Sequence, residues 1–110
     1  MLRESVTAVV ARNETWIGTA ATEPYEAGWA TEAVFFVRAL KASTGPVVEA
    51  AVEMSPDGMR WVSEGTTLTL PREVDAIAMA RIRHFGNWLR LSATLPDGAS
   101  NTLLITLHLK

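Results

Sequence analysis

Apolar and polar residues alternate with a period of two along most of this chain, and the alternation breaks at clusters of Gly, Pro, Asp and Ser. Such a period puts successive side chains on opposite faces of an extended backbone, so it predicts strands rather than helices. A first strand is expected over residues 5–12, with Val6, Ala8 and Val10 on one face, and a short second one over 15–20. Residues 22–28 (TEPYEAG) read as a loop, and a long strand over 31–41 ends at Ser43-Thr44-Gly45-Pro46. Residues 47–54 set Val48, Ala50 and Val52 against Glu49, Ala51 and Glu53. Return strands follow over 59–63 and 65–70, stopped by Pro71. In residues 74–84 the alanines at 76, 78 and 80 would suit a helix, but Ile77, Met79, Ile82 and the flanking turns favour a strand.

Two Pro-Asp-Gly turns punctuate the second half. In Ser55-Pro56-Asp57-Gly58, Pro56 presets φ, Asp57 suits the next position and Gly58 supplies the positive φ of a bulge that closes a hairpin. Pro96, Asp97 and Gly98 repeat the device between strands expected over 88–95 and 101–109. Read as a hairpin, these two strands pair Leu95 with Asn101, Ala93 with Leu103, Leu91 with Ile105 and Leu89 with Leu107. That register sets His108 across from Trp88 and Thr106 across from Arg90. The whole pattern predicts a single all-β domain over 1–110, an antiparallel β-sandwich or jelly roll of about eight strands.

A two-layer sandwich buries one face of each strand, yet several strands here are apolar on both. The 31–41 strand carries Val34, Phe36 and Leu40 on one side and Phe35 and Val37 on the other; the 74–84 strand adds Ile77 and Met79 opposite its alanines; Leu104 points away from its leucine neighbours. Contiguous exposed apolar surface of this kind marks an interface, and Phe35, Val37, Ile77 and Leu104 are the candidate interface residues. Residues 13–30 are the stretch long enough to cover such a face instead. Trp88, Arg90, Thr106 and His108, gathered on one outward face, are the candidate ligand-facing residues, able to stack a sugar ring or anchor a neighbour.

Composition narrows the chemistry. The 110 residues hold no cysteine, which excludes disulfides and thiolate metal sites. A net charge of −2 with both signs scattered gives a phosphate backbone nothing to follow, so no nucleic acid is expected. The N-terminal Met-Leu-Arg-Glu-Ser lacks the apolar core of a signal peptide, and no apolar run approaches a membrane span. His84 and His108 have no ligand-spaced partners, no Gly-x-Ser-x-Gly is present, and Glu49 and Glu53 sit ~13 Å apart along a strand, too far for a glycosidase pair. No catalytic residue, metal ligand or cofactor site is therefore expected. Asn13-Glu14-Thr15 matches a glycosylation sequon without a secretion signal beside it.

The segment Val52-Glu53-Met54-Ser55-Pro56-Asp57-Gly58-Met59-Arg60-Trp61, followed by Asn87-Trp88-Leu89-Arg90-Leu91, resembles two groups of proteins. Discoidin-type jelly rolls carry a similar Ser-Pro-Asp-Gly-x-x-Trp hairpin and a later aromatic-x-Arg strand, though their bracketing cysteines are absent here. Small β-sandwich accessory proteins of tailed-phage-like particles carry similar stretches, and their size fits better. The similarity spans residues 50–109. It implies a non-enzymatic capsid-decoration or other accessory virion protein, made in the host cytoplasm. Its partners would be copies of itself, with a trimer as the expected form, and a shell protein. The alternative is a carbohydrate-binding module using Trp88, Arg90 and His108, or the loop of Tyr25 and Trp29.

Overall fold

The computed structural model describes residues 5–110 and is all-β. Nine strands run β1 (Val6–Trp16), β2 (Thr19–Ala21), β3 (Tyr25–Glu26), β4 (Glu32–Ala39), β5 (Glu49–Ser55), β6 (Val62–Thr69), β7 (Ile77–Arg83), β8 (Trp88–Thr94) and β9 (Asn101–Leu109). They form two antiparallel sheets, β1-β9-β4-β7 and β2-β8-β5-β6, with β3 also paired to β8. Taking β2 and β3 as one interrupted strand gives eight strands ordered 1-8-3-6 and 2-7-4-5, the double Greek key of a jelly roll.

One core fills the space between the sheets. Val10, Phe35, Val37, Leu103, Ile105, Leu107 and Leu109 enter it from the first sheet, and Val48, Ala50, Val52, Leu68, Leu89, Leu91 and Ala93 from the second. The expected inward faces of residues 47–54, 88–95 and 101–109 are all found in this core. Residues 74–84 form a strand, as the β-branched positions favour.

Local differences have local causes. β1 runs on through Trp16, which is buried, by way of two register shifts; Asn13 takes φ 51° there, a conformation that asparagine tolerates well. The two expected return strands are one, β6, bent at Gly65 (φ 107°) opposite a bulge between Ala51 and Glu53. Residues 13–30 lengthen β1 and extend the edge of the second sheet through β2 and β3.

The expected hairpin of residues 88–109 does not exist. β8 pairs with β2, β3 and β5, while β9 pairs with β1 and β4 in the other sheet. Pro96-Asp97-Gly98 is a crossover between sheets, and the leucines of β8 and β9 meet through the core instead of lying side by side. In this topology only β5 and β6 are consecutive neighbours in one sheet. Alternation fixes which face of a strand is buried, and both arrangements bury the same leucines.

Candidate functional site

The outer face of the first sheet has no layer over it among the described residues. Register places its outward side chains in rows across the strands. The central row is Val9 (β1), Thr106 (β9), Phe36 (β4) and Met79 (β7). On one side of it runs Thr7, His108, Val34 and Arg81; on the other, Leu104, Arg38 and Ile77. Val9 is 43% exposed, Phe36 36%, Met79 43% and Ile77 63%, while Val34 and Leu104 are half-buried beside them. These six residues give an apolar band across all four strands, interrupted by Thr106 and Arg38.

Polar groups within the band are already satisfied. His108 Nδ1 lies 3.1 Å from the Thr7 hydroxyl and Nε2 lies 3.1 Å from the Thr106 hydroxyl, and the Phe36 ring meets the imidazole edge-on at 4.9 Å between centroids. With both ring nitrogens engaged, His108 props Phe36 outward. Charges interrupt and border the band: Arg38, between Leu104 and Ile77, lies 3.5 Å from Asp75, Arg81 stands beside Val34, and Arg83 lies 3.8 Å from Glu32. These ion pairs are largely solvated and hold little energy by themselves. What such a surface offers is apolar area to be desolvated, with Arg38 and Arg81 set among it.

Of the expected interface residues, Ile77 and Leu104 lie on this face. Phe35 and Val37 do not: both are fully buried in the core. Phe36 takes the outward position, because it shares the parity of Glu32 and Arg38, two charged residues that must reach water. Val9, Val34, Phe36 and Met79 are the members of the band that the candidate set lacked.

The expected constellation of Trp88, Arg90, Thr106 and His108 is divided between the two sheets. Thr106 and His108 stand on the first; Trp88 and Arg90 stand on β8 in the second, opposite Ser55 and Glu53. Arg90 Nε donates to Glu53 Oε1 at 2.8 Å, and its guanidinium carbon sits 4.2 Å from the centre of the Trp61 ring. Trp61, in the loop before β6, is the partner that strand alternation could not reveal. Beside this stack lies an open trough of about 410 Å³, floored by Ala21, Ala51 and Ser92 and walled by Thr19, Glu49, Glu53, Arg90 and Thr94.

The two Pro-Asp-Gly turns hold the ends of the sandwich. Gly58 and Gly98 both have positive φ, 80° and 86°, as expected. The first turn is wider than a bulged hairpin, since pairing resumes only at Met54 and Val62. Ser55 Oγ accepts from the backbone N–H groups of Asp57 and Gly58, and Asp57 Oδ1 accepts from those of Met59 and Arg60, both at 2.9 Å. The Arg60 and Met59 amides, followed by the Ser55 hydroxyl, hold the Asp57 carboxyl below its ordinary range.

A depressed folded-state pKa means that this carboxylate stabilises the fold above its ordinary range and stops doing so as pH falls through the lowered value. Asp57→Asn should therefore melt below the wild type at neutral pH, with a gap that narrows as the pH is brought below the ordinary carboxylate range. Thermal melts of both proteins across that range check it, and a gap that stays constant would show that the turn does not depend on the charge.

Among the described residues no three His, Asp or Glu side chains gather at metal-binding distance, and no helix is long and apolar enough to cross a membrane. No family model and no curated protein matches the chain.

Proposed function

We propose that the protein is a non-enzymatic assembly protein that adheres through the outer face of its first sheet, serving as a decoration or accessory subunit of a phage-like particle. The observation that carries this reading is the band of Val9, Val34, Phe36, Ile77, Met79 and Leu104 on a sheet with nothing over it among the described residues. Leaving large apolar groups clustered in water forfeits about 25 cal/mol for each Å² that a partner would cover. The polar turns at the ends of the sandwich then face solvent. The particle setting draws on the resemblance of residues 50–109.

Sedimentation tests the adhesive face. Wild type at high micromolar concentration should sediment above the mass of one chain, whereas Phe36→Glu, which places a charge where water must be lost, should run as one chain with an unchanged circular dichroism spectrum and melt. The particle setting is tested by banding phage-like particles from producing cells and probing the band for this chain. Its absence there, together with a wild type that stays monomeric, would overturn the proposal.

The trough on the second sheet favours a second reading, carbohydrate binding, through Glu53 and Arg90 at its wall, with Trp61 stacked on Arg90 beside it. A glycan screen in which wild type binds and Arg90→Ala does not would support it.

A further inference from the structure

We propose that the trough on the outer face of the second sheet takes an uncharged oligosaccharide and turns away acidic ones, such as uronic or sulfated chains. This inference rests on the carbohydrate reading of that trough and names the class of sugar it selects. Shape, open hydrogen-bonding groups and the sign of the charge carry it.

The shape comes from residue size along the register. Ala21 of β2, Ser92 of β8 and Ala51 of β5 stand side by side in one row. Longer side chains fill the rows on either side. Arg90 faces Glu53 in one; Thr94 faces Thr19 in the other, where Glu49 stands two residues before Ala51 on β5. The low row between two taller ones makes the trough of about 410 Å³. Three strands at ~4.8 Å spacing, and four residues from Glu49 to Glu53, give it a floor of roughly 10 by 13 Å. With alanine and serine on that floor, a flat ring can approach the backbone closely.

The polar groups around the trough have capacity for a ligand. Glu53 Oε1 accepts from Arg90 Nε at 2.8 Å, so among the described residues its second oxygen and the terminal nitrogens of Arg90 remain available. Glu49 Oε1 accepts from the Thr69 hydroxyl, and its second oxygen is likewise available. Thr19, Ser92 and Thr94, all at least partly open to water, add three hydroxyls. The set combines two acceptor carboxylates, a donor guanidinium and hydroxyls that do both. A sugar hydroxyl also donates and accepts, so it can use every member of the set, while the ring carbons lie over the alanines.

Charge then chooses among sugars. The Glu53 carboxylate and the Arg90 guanidinium neutralise each other, and Trp61 covers one face of the guanidinium at 4.2 Å. Glu49 has a hydroxyl partner and no cation in contact among the described residues, which leaves it as the uncompensated charge of the wall. A carboxylate or sulfate on the sugar would meet that charge and find the guanidinium already engaged. A hydroxyl in the same place gains a charge-assisted hydrogen bond instead.

Matched six-unit chains isolate the charge: neutral glucose, mannose and galactose oligomers against the glucuronic, mannuronic and galacturonic oligomers that differ at C6. Each is titrated into the protein and followed by amide chemical shifts. At least one neutral chain should bind, with shifts centred on Ala21, Ala51 and Ser92, and its acidic counterpart should bind about ten-fold more weakly or worse at low salt. That ratio should shrink near 1 M salt, where the Debye length is about 3 Å, and it should shrink in Glu49→Gln at low salt. Ser92→Phe, which fills the trough from its floor, should lose both chains. Glu49 is exposed, so the charge test does not depend on that bulkier variant folding. An acidic chain that binds wild type as well as its neutral counterpart, or a ratio that Glu49→Gln leaves untouched, would overturn the charge selection and leave the carbohydrate reading standing. Neutral chains that still bind a folded Ser92→Phe would place the site elsewhere and overturn the trough. Failure of every chain to bind would remove the carbohydrate reading itself, and this inference with it.

Discussion

Gly45→Ala should destabilise the protein by about 2–4 kcal/mol, more than the same change at either Pro-Asp-Gly turn. Two costs add there. Gly45 has φ 77°, where an alanine pays ~1–2 kcal/mol for its Cβ. The new Cβ would also lie 2.5 Å from the Gly98 carbonyl oxygen, 2.6 Å from Ala99 Cα and 2.7 Å from Ala99 N, all backbone atoms. That segment has little room to retreat: Ala99 is buried, and Thr44 and Ser100 exchange two backbone hydrogen bonds at 3.0 Å beside it. Arg72 Nη2 further ties the loop by donating to the Gly45 carbonyl at 2.7 Å. Gly98 has a similar φ of 86°, but an added Cβ there meets nothing within 4 Å, so Gly98→Ala should show the conformational cost alone. Denaturant melts of the two variants separate the terms. Equal losses would mean that the 44–46 and 98–100 loops are not locked together as described.

This contact also shows what the sequence could and could not convey. Ser43-Thr44-Gly45-Pro46 and Pro96-Asp97-Gly98 are both legible as turns, because the residue types have fixed backbone preferences. That the two turns pack on each other depends on both being crossovers at one end of the sandwich, a property of the topology. The same division explains β8 and β9. Their buried faces were legible from alternation, residue by residue, down to Leu89, Leu91, Leu103, Ile105 and Leu107. Their neighbours were not, because a hairpin and a pair of facing sheets satisfy the same leucines, and nothing in residues 88–109 distinguishes them. The separation of Trp88 and Arg90 from Thr106 and His108 follows from that one ambiguity. Trp61 was hidden for another reason: it stands in an irregular loop, where period-two reasoning has no purchase.

The two-sided apolar strands were legible, but which side of residues 31–41 faces outward was not, and Phe35 and Val37 lie in the core. Phe35 and Phe36 are adjacent, identical and opposite in fate, so they supply the sharpest test of the fold. Phe35 is fully buried between the sheets, with Leu107 and Ala80 as its cross-strand neighbours. Truncating it removes most of a buried ring and leaves a cavity that close-packed surroundings refill only in part. Phe35→Ala should therefore cost 3–5 kcal/mol, by the usual range for buried aromatic truncations. A domain of this size has on the order of 5–15 kcal/mol in total, so the loss would lower the melting temperature by well over 10 °C. Phe36→Ala gives up only contacts with His108 and its row, and for a side chain more than a third exposed the cost should stay under about 1 kcal/mol. The order reverses for association: Phe36→Ala should weaken the pairing of chains, whereas Phe35→Ala should leave the outer face intact in whatever fraction remains folded. Denaturant melts and sedimentation of the two variants, run side by side, give both readings. Comparable destabilisation by the two substitutions would mean that the strand does not present Phe36 to the outside, and the adhesive band would lose its centre.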